Sequence, residues 1–315
     1  MAKKSNTQIW LEYIPVRLLF GVLGLLPRTT ALRAGMFIGR LGYRFAGGLR
    51  RVALRNLTIA FPEKNLKERE AIALGSFENL GRVLGELTQF PSATRETLKK
   101  RIEFQFDTEE SSSSPEFAAF QAERAKGRGT LLIGPHLGNW EIGVFAYSAL
   151  QDKLTYLARP LDNPLIEDLT VRLRTRFGNQ SIDKNNSVSK ALAILREGGI
   201  LGILPDVNVL HRDGVFVPFF GTLACTTSGV AMMAMRTGAV ILPVCCVWND
   251  ETRKYNVFCG RLIEAAKTGD RHRDVLETTA AFTAEMEKFI RAYPDQWLWI
   301  HRRWKVRPPG ESELY

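Results

Sequence analysis

A histidine and a glutamate stand five positions apart where an apolar run gives way to a helix-like pattern. The octet Gly-Pro-His-Leu-Gly-Asn-Trp-Glu spans residues 134–141, so the pair is His136 and Glu141. Histidine is the side chain that most often takes a proton from a reacting hydroxyl group in enzymes. The alternative is an ordinary turn histidine followed by an acid that complements a helix N-terminus. The octet alone leaves both interpretations open, because this short spacing is common by chance.

The spacing restricts how the two side chains can meet. Positions five apart on an ideal helix point roughly 140° away from each other. Asn139 is a favoured N-cap residue, so a helix beginning there leaves His136 in the loop and puts Glu141 in the first turn. We expect the imidazole to fold over that helix end, with Nδ1 donating to Glu141 and Nε2 free as a general base. Backbone N–H groups near Gly138 and Asn139 would then face a developing oxyanion.

Short apolar runs alternate with helix-length periodic segments from residue 130 onward. This alternation predicts an α/β fold with a largely parallel or mixed sheet flanked by helices. We divide the chain into an N-terminal membrane-anchoring helical extension, residues 1–100, and an α/β domain, residues 101–315, with a polar loop at 111–115. The predicted strands are 131–134, 154–157, 200–204, 239–247 and 255–259, and the predicted helices are 66–90, 139–150, 163–177, 187–197, 227–237 and 273–292.

Polar residues follow three of these predicted strands. His136, Arg159 and Asp206 each come just after one, and Asn163 stands four residues beyond Arg159. Ligand sites of open α/β sheets gather beyond the carboxyl ends of the strands, so we expect these side chains to cluster. Together with Gly138 and Asn139 they are the predicted oxyanion- and substrate-binding groups.

The composition favours anionic partners without choosing among them. The formal net charge is +10, which suits nucleic acid, acidic lipid, phosphorylated small molecules or an acidic protein. The basic residues are interleaved with apolar ones and no nucleic-acid motif is present, so nucleic acid is the weakest of these. The four cysteines form no pair or Cys/His spacing typical of zinc, and we predict no metal site.

The N-terminal 26 residues contain an apolar segment that we expect to associate with a membrane. Its uninterrupted part follows Arg17 and is shorter than the roughly 20 residues that cross a bilayer. Arg17 and Glu12 can snorkel from a tilted span. A helix lying in the interface and a helix packed within the protein are the two alternatives, and the sequence leaves the topology open.

Five arginines recur at spacings of seven and four in a stretch without acidic residues. On helices such positions share one face, with apolar residues between them. A solvated helix face is one interpretation, and a basic surface held against anionic headgroups is the other. Since a solvated face normally mixes charges of both signs, we expect the lipid-facing surface. These residues are Arg33, Arg40, Arg44, Arg51 and Arg55.

The chain closes on a segment rich in tryptophan and arginine, residues 296–305. Arg302 and Arg303 are flanked by Trp299 and Trp304, a mixture that suits a membrane interface. Docking of an acidic carrier protein and packing of a terminal segment into the core are the other possible uses. We assign Arg302 and Arg303 to the predicted membrane- or anion-facing surface.

In order and spacing, the motifs of this chain resemble those of the late, or secondary, acyltransferases of lipid A biosynthesis. The resemblance runs from about Arg51 to near the C-terminus. Any one motif is weak, but the ordered set is specific. The matching segments are Arg55-Asn56-Leu57 with Phe61-Pro62, residues 136–141, Arg159-Pro160 with Asp162-Asn163-Pro164, residues 215–221, Thr226-Thr227 and residues 299–303.

The resemblance implies transfer of a fatty acyl chain from acyl carrier protein to a hydroxyl group of a lipid A precursor. It implies the cytoplasmic face of a bacterial inner membrane as the place, membrane lipids as further partners, and no cofactor. The family's His-x4-acid motif maps onto His136 and Glu141, its arginine after the second strand onto Arg159, and an aspartate after the third onto Asp206. The family often has further polar residues directly after that aspartate, whereas this chain has Val207 and Asn208.

The residue chemistry is that of direct acyl transfer. A hydroxyl group is a poor nucleophile and needs a base, and attack on a thioester builds an oxyanion that needs a donor. No G-x-S-x-G elbow is present, so we expect direct transfer in a ternary complex, without an acyl-enzyme. Other acceptors, such as a phosphatidylinositol mannoside-like glycolipid, another donor, such as acyl-CoA, and a non-catalytic lipid-binding role stay open.

Overall fold

The computed structural model describes residues 4–105, 114–183 and 188–315, so most of the predicted polar loop at 111–115 lies outside the described residues. The helices in these ranges are α1 Asn6–Leu25, α2 Arg28–Phe45, α3 Gly47–Ala60, α4 Leu66–Leu87, α5 Arg95–Lys99, α6 Pro115–Ala125, α7 Trp140–Leu150, α8 Pro164–Thr175, α9 Val188–Arg196, α10 Gly229–Thr237 and α11 Arg271–Ala292. The strands are β1 Ile102–Phe104, β2 Thr130–Ile133, β3 Thr155–Ala158, β4 Gln180–Asp183, β5 Ile200–Ile203, β6 Gly214–Phe219, β7 Thr222–Thr227, β8 Val240–Asn249 and β9 Lys254–Cys259.

Seven strands form one sheet in the order β1-β9-β8-β2-β5-β3-β4. Every neighbouring pair is parallel except β8 and β9, which are antiparallel. The predicted α/β class with a largely parallel or mixed sheet is therefore confirmed. Strands β6 and β7 form a separate antiparallel hairpin.

Helices cover both faces of this sheet. Along β2, Leu131 and Ile133 pack with α9, α10 and α11 on one face, whereas Leu132 packs with α7 on the other. A parallel sheet buried on both faces needs apolar side chains on both sides of each strand, which explains why β2 reads as a continuous apolar run. The carboxyl end of β2, where His136 follows, thus lies between two helical layers.

The predicted helices after residue 130 are confirmed to within a few residues at each end. Helix α4 begins where a capping box forms: Asn65 accepts from the backbone N–H of Glu68, and Glu68 accepts from that of Asn65. Strands β1 and β4 and the β6–β7 hairpin were not predicted. Helices α1 to α5 occupy the chain up to Lys99, and the sheet begins at Ile102.

Helices α2 and α4 pack backbone against backbone through facing glycines. Gly35 of α2 lies opposite Gly81 of α4, where an added Cβ would meet the Gly35 carbonyl oxygen at 2.0 Å. Gly39 and Gly85 make similar approaches. Only residues without a Cβ allow such a distance, so these glycines fix α2, and the arginines that it carries, on α4.

We predict that Gly81→Ala lowers the free energy of unfolding by about 1–3 kcal/mol, because α2 must move away from α4 to admit the methyl group. Thermal unfolding of the detergent-solubilised protein measures the change. Gly42→Ala is the matched control on α2, since its Cβ would make only ordinary contact with Phe77, at 3.5 Å. Equal stability of the two variants would contradict this packing.

Candidate active site

A cavity of about 650 Å³ opens at the carboxyl ends of β2, β3 and β5. His136 lines it just after β2, Arg159 just after β3, and Leu204 and Pro205 just after β5. The predicted gathering of post-strand residues is confirmed for His136 and Arg159. Asp206 stands directly behind the cavity wall, in contact with His136.

The histidine ring is held by Asp206. Nδ1 of His136 lies 2.7 Å from Oδ1 of Asp206. A carboxylate can only accept, so Nδ1 carries the proton and Nε2 keeps its lone pair. In the described part of the chain no protein group pairs with Nε2, and the ring lies on the cavity wall. This arrangement presents a general base to whatever occupies the cavity.

The carboxylate of Asp206 accepts two further hydrogen bonds on its other oxygen. Oδ2 accepts from the backbone N–H of His136 at 2.7 Å and from Nε1 of Trp297 at 2.8 Å. Asp206 is only 2% exposed. A buried charge is tolerated where donors satisfy it, and here two segments of the chain supply them.

Burial and pairing have opposite effects on the pKa values of His136 and Asp206. Burial lowers the pKa of His136, but the neighbouring Asp206 carboxylate raises it by more, so the pKa lies above the ordinary value of 6.5. Burial raises the pKa of Asp206, but His136 and the indole of Trp297 lower it by more. The carboxylate therefore stays ionised and stabilises the imidazolium form of His136. A base that takes up a proton during a reaction requires this stabilisation.

Glu141 does not orient the histidine, and that part of the prediction was wrong. Its carboxylate forms an ion pair with Arg174 of α8, with Nε of Arg174 at 2.8 Å from Oε2, and also accepts from Nε1 of Trp140 at 3.2 Å. His136 is in the loop and Glu141 in the first turn, as expected. Asp206 orients His136 instead of Glu141, because the loop after the adjacent strand β5 brings the Asp206 carboxylate to Nδ1 of His136.

The predicted oxyanion donors at Gly138 and Asn139 were also wrong. The N–H of Gly138 donates to the Gln296 carbonyl at 3.0 Å, and that of Asn139 to the Cys246 carbonyl at 2.8 Å. Gly138 has φ +61°, and a Cβ there would lie 2.0 Å from the Cys246 carbonyl oxygen. Glycine is thus required for contact with β8 and not for approach of a substrate. Asn139 is the N-cap of α7, accepting from the N–H of Ile142 as predicted.

The N–H groups that stay unpaired at this helix end belong to the next two residues. Within the described ranges, neither Trp140 nor Glu141 donates its backbone N–H to a protein acceptor. Both residues line the cavity beside His136. The first turn of α7 therefore offers two donors and the positive end of a helix dipole, two residues later than the sequence suggested.

The cavity extends over both faces of the sheet. On one face it is lined by residues near α7 and the β9 side of the sheet, among them Phe120, Tyr147 and Val257. On the other face it is lined by Ala191 of α9 and Met233 of α10. The lining is mostly apolar, and His136 lies on it at the end of the central strand β2.

The comparisons with known proteins agree with one another. The family model for bacterial lipid A biosynthesis acyltransferases matches residues 2–306. The chain belongs to this family. It is 29% identical to the lipid A biosynthesis lauroyltransferase of Escherichia coli K12, over 98% of this chain and 96% of that one, and 29% identical to the palmitoleoyltransferase of the same strain, with the same coverage. It is 23% identical to the myristoyltransferase of that strain, over 90% and 82%.

The resemblance read from the motifs is thereby confirmed, and the protein is an acyltransferase of the lipid A type. The three relatives are named for three different acyl groups. Two of them are equally similar to this chain, so similarity alone does not assign it an acyl chain length.

Two further predicted site residues lie away from the histidine. The side chain of Arg159 is 61% exposed at the cavity mouth and pairs with Asp162 at 3.0 Å. Asn163 is buried outside the cavity lining, where its Oδ1 caps α8 and its Nδ2 donates to α1. Asn163 was therefore wrongly assigned to substrate binding, because its polar atoms are committed to helix ends.

The C-terminal segment of this acyltransferase is packed into the protein. Trp297, Trp299 and Trp304 are buried, and Arg303 is completely buried, with Nη1 donating to the Cys225 carbonyl at 2.7 Å and Nη2 to Thr226. Arg303 was wrongly assigned to a membrane-facing surface. Arg302 is exposed, as expected.

The five arginines of α2 and α3 are exposed, so they remain available to an anionic surface. Two of them also contact the protein: Arg40 pairs with Glu78 at 2.6 Å, and Arg55 donates to the Leu314 carbonyl at 2.6 Å. Among the described helices, α1 alone is long and apolar enough to cross a membrane by length and composition. That the five arginines face lipid stays a prediction.

Arg174 and Trp297 are site residues that the sequence did not single out. Arg174 stands in a run of arginines at alternate positions, 172, 174 and 176, and nothing in that pattern marks the one that faces Glu141. Trp297 lies in the tryptophan-rich terminus, where its proximity to Asp206 depends on the fold. Asn208, whose role was open, donates its N–H to Nε2 of His301 at 2.9 Å and thereby joins the β5 loop to the C-terminal segment.

We predict that Trp297→Phe raises the pKa of His136 further above its ordinary value. Loss of the indole donor concentrates negative charge on Asp206, which then holds the imidazolium more strongly. Histidine NMR titration measures the pKa directly, and the four histidines are few enough for His136→Gln to assign the signal.

Trp299→Phe is the matched control for this titration. Trp299 is equally buried, but its Nε1 donates to the Pro294 carbonyl at 2.6 Å and not to Asp206. We expect its removal to affect stability and leave the titration of His136 unchanged. Equal shifts in the two variants, or no shift in either, would show that Trp297 does not tune the pair.

Proposed function

We propose that this protein transfers a fatty acyl chain from the thioester of acyl carrier protein to a hydroxyl group of a lipid A precursor. His136 is the general base and Asp206 orients it. The observation that carries the proposal is a histidine on the wall of a mostly apolar cavity, backed by a buried carboxylate, whose Nε2 pairs with no protein group among the described residues. Membership of the lipid A acyltransferase family supports the same reaction class.

A large, mostly apolar cavity suits a reaction between two lipids. An acyl donor and a lipid acceptor each bring a hydrocarbon chain, and an apolar lining removes such a chain from water. We place the acceptor hydroxyl and the thioester beside Nε2 of His136, whose ring lies on the cavity wall. This layout favours direct transfer in a ternary complex, which requires no covalent acyl-enzyme.

The proposed step moves one proton and exchanges one bond. Nε2 of His136 takes the hydroxyl proton while the acceptor oxygen attacks the thioester carbonyl carbon. The tetrahedral intermediate collapses with cleavage of the C–S bond, and the imidazolium returns the proton to the departing thiolate. Asp206 stabilises the imidazolium meanwhile, because its carboxylate remains ionised beside Nδ1.

The oxyanion of that intermediate needs donors other than those first predicted. The unpaired N–H groups of Trp140 and Glu141 and the guanidinium of Arg174 all border the cavity. Burial lowers the pKa of Arg174, but its hydrogen bonds to Glu141 raise it by more, so it stays charged. We propose that Glu141 serves catalysis by holding this cation, and not by holding the histidine.

The cavity mouth carries positive charge that suits both substrates. Arg159 is exposed there, just after β3. Acyl carrier protein is acidic and lipid A precursors carry phosphate groups, so this cation attracts either one. We place the reaction on the cytoplasmic face of the inner membrane, where both substrates are available.

The transfer assay combines the purified protein, a lipid A precursor without secondary acyl chains, and acyl carrier protein loaded with C12, C14 or C16:1 chains. We expect mass spectrometry to show a gain of one acyl chain, and to show the unmodified protein mass with donor alone. Transfer from acyl-CoA only, or to another glycolipid only, would replace the proposed substrates. A stable acyl-enzyme would contradict direct transfer.

We predict that Asp206→Asn lowers kcat/KM by about 10²- to 10⁴-fold and moves the acid limb of the pH profile to lower pH. The folded-state pKa of His136 is raised by the Asp206 charge, so removing that charge lowers the pH at which His136 becomes neutral. Glu141→Gln should also reduce kcat, with a smaller displacement of the acid limb, because Glu141 affects His136 only at longer range.

Asp168→Asn is the control, since this carboxylate is exposed on α8 and pairs with Arg172 at 2.8 Å. It should leave both the rate and the pH profile unchanged. A larger displacement of the acid limb in Glu141→Gln than in Asp206→Asn would restore Glu141 as the partner of His136.

A further inference from the structure

Helix α1 presents one continuous apolar face to the outside. Residues at spacings of three and four along it are between 48% and 88% exposed. Such spacings place side chains on one side of a helix. The exposed residues are Leu11, Ile14, Leu18, Val22 and Leu25.

The opposite side of α1 is bound to the α/β domain near its N-terminal end. Asn163, buried at the N-cap of α8, donates Nδ2 to the Ile9 carbonyl at 2.9 Å and to Oε2 of Glu12 at 3.0 Å. Glu12 also pairs with Lys4 at 2.6 Å. A buried amide with both hydrogens committed to α1 holds this helix on the surface of the domain.

The C-terminal end of α1 is bound in the same way to the end of α4. Gln89 is buried and donates Nε2 to the Leu23 carbonyl at 3.0 Å and to the Leu26 carbonyl at 3.5 Å. Leu23 is buried, and Gly24 approaches the Thr88 carbonyl so closely that a Cβ would lie 3.2 Å from it. Both ends of the helix, roughly 30 Å apart, are therefore docked.

We infer that α1 lies in the plane of the membrane surface and does not cross the bilayer. A helix that crosses must be surrounded by lipid, whereas α1 lies along the domain and leaves only its outer side for hydrocarbon. The occupant of that side is an anionic bilayer, because Arg17 is exposed on α1 itself and Arg33 and Arg44 are exposed on α2, the next helix of the chain. The N-terminus then stays on the same side of the membrane as the cavity.

This orientation also places the cavity mouth at the bilayer. Arg159 and Leu161 line the cavity, and both stand within four residues of Asn163, which touches α1. A lipid acceptor can thus pass from the membrane into the cavity beside α8. This consequence rests on the proposed function, whereas the in-plane position of α1 rests on membrane association alone.

Cysteine labelling decides the topology. Thr7→Cys places a thiol on the exposed N-terminal turn of α1, and Glu277→Cys places one on the exposed side of α11 in the catalytic domain. In spheroplasts treated with a membrane-impermeant maleimide, we expect both thiols to react only after the inner membrane is permeabilised. Labelling of Thr7→Cys in intact spheroplasts, with Glu277→Cys protected, means a transmembrane α1 and overturns the inference, whatever the acyl-transfer assay shows.

Vesicle flotation tests the lipid-facing side. The full chain should bind phosphatidylglycerol vesicles more strongly than phosphatidylcholine vesicles, and Leu18→Glu should weaken binding about ten- to a hundredfold, as expected for loss of one buried leucine contact. Leu66→Glu is the control, an equally exposed leucine at the start of α4. Equal binding by the two variants would overturn the assignment of this face.

Asn163→Asp tests the docking contact separately. An aspartate still accepts from the N–H groups of Leu165 and Ile166, so the cap of α8 is kept. It cannot donate to Ile9, and it repels Glu12. We expect faster hydrogen exchange confined to α1, with α8 unchanged; equal exchange in α1 of variant and wild type would show that Asn163 does not hold the helix.

Discussion

The structure of the site depends on satisfying one buried charge. The Asp206 carboxylate is almost fully enclosed and remains stable as an anion only because three donors reach it. Two come from His136, 70 residues earlier in the chain, and one comes from Trp297, 91 residues later. The loop after β2, the loop after β5 and the C-terminal segment must therefore be in place together. The same contacts leave Nε2 of His136 as the unpaired basic atom on the cavity wall.

The N-terminal helices contribute to this arrangement. Asn79 of α4 is buried and donates Nδ2 to the Gly138 carbonyl at 2.8 Å and to the Gln296 carbonyl at 3.1 Å. One amide thus joins the loop that carries His136 to the segment that carries Trp297. Because α2 packs on α4 through facing glycines, both helices are connected to the loop that carries His136. A displacement of α4 would therefore move the loop that carries His136, even without bound substrate.

The sequence predicted the layers, the strand ends and the loop position of His136, because periodicity and capping are local properties. It placed Asn139 correctly as a cap and Asp206 correctly beside His136. It misassigned the partner of His136, since Glu141 is near in sequence whereas Asp206 becomes near only when β2 and β5 pair. The pairing of the Gly138 and Asn139 N–H groups was likewise unpredictable, because their acceptors lie at residue 296 and on β8. Arg303 was predicted at the surface because a cationic side chain is usually exposed. Tertiary packing buries it instead.

Which partners the net charge of +10 can attract depends on where the cationic side chains lie. Arg28 and Arg101 form ion pairs with the buried carboxylate of Glu86, and Arg303 donates to a backbone carbonyl in the core. These three cations are therefore used within the protein and do not contribute to binding a partner. The cations that remain exposed on α2, and at the cavity mouth, are those an anionic lipid can meet. With α1 in the membrane plane, as we infer, the bilayer approaches the same side of α8 that borders the cavity. Under the proposed function, charge and apolar surface then act on one lipid at once: Arg159 attracts its headgroup at the mouth, and the apolar cavity receives its chains.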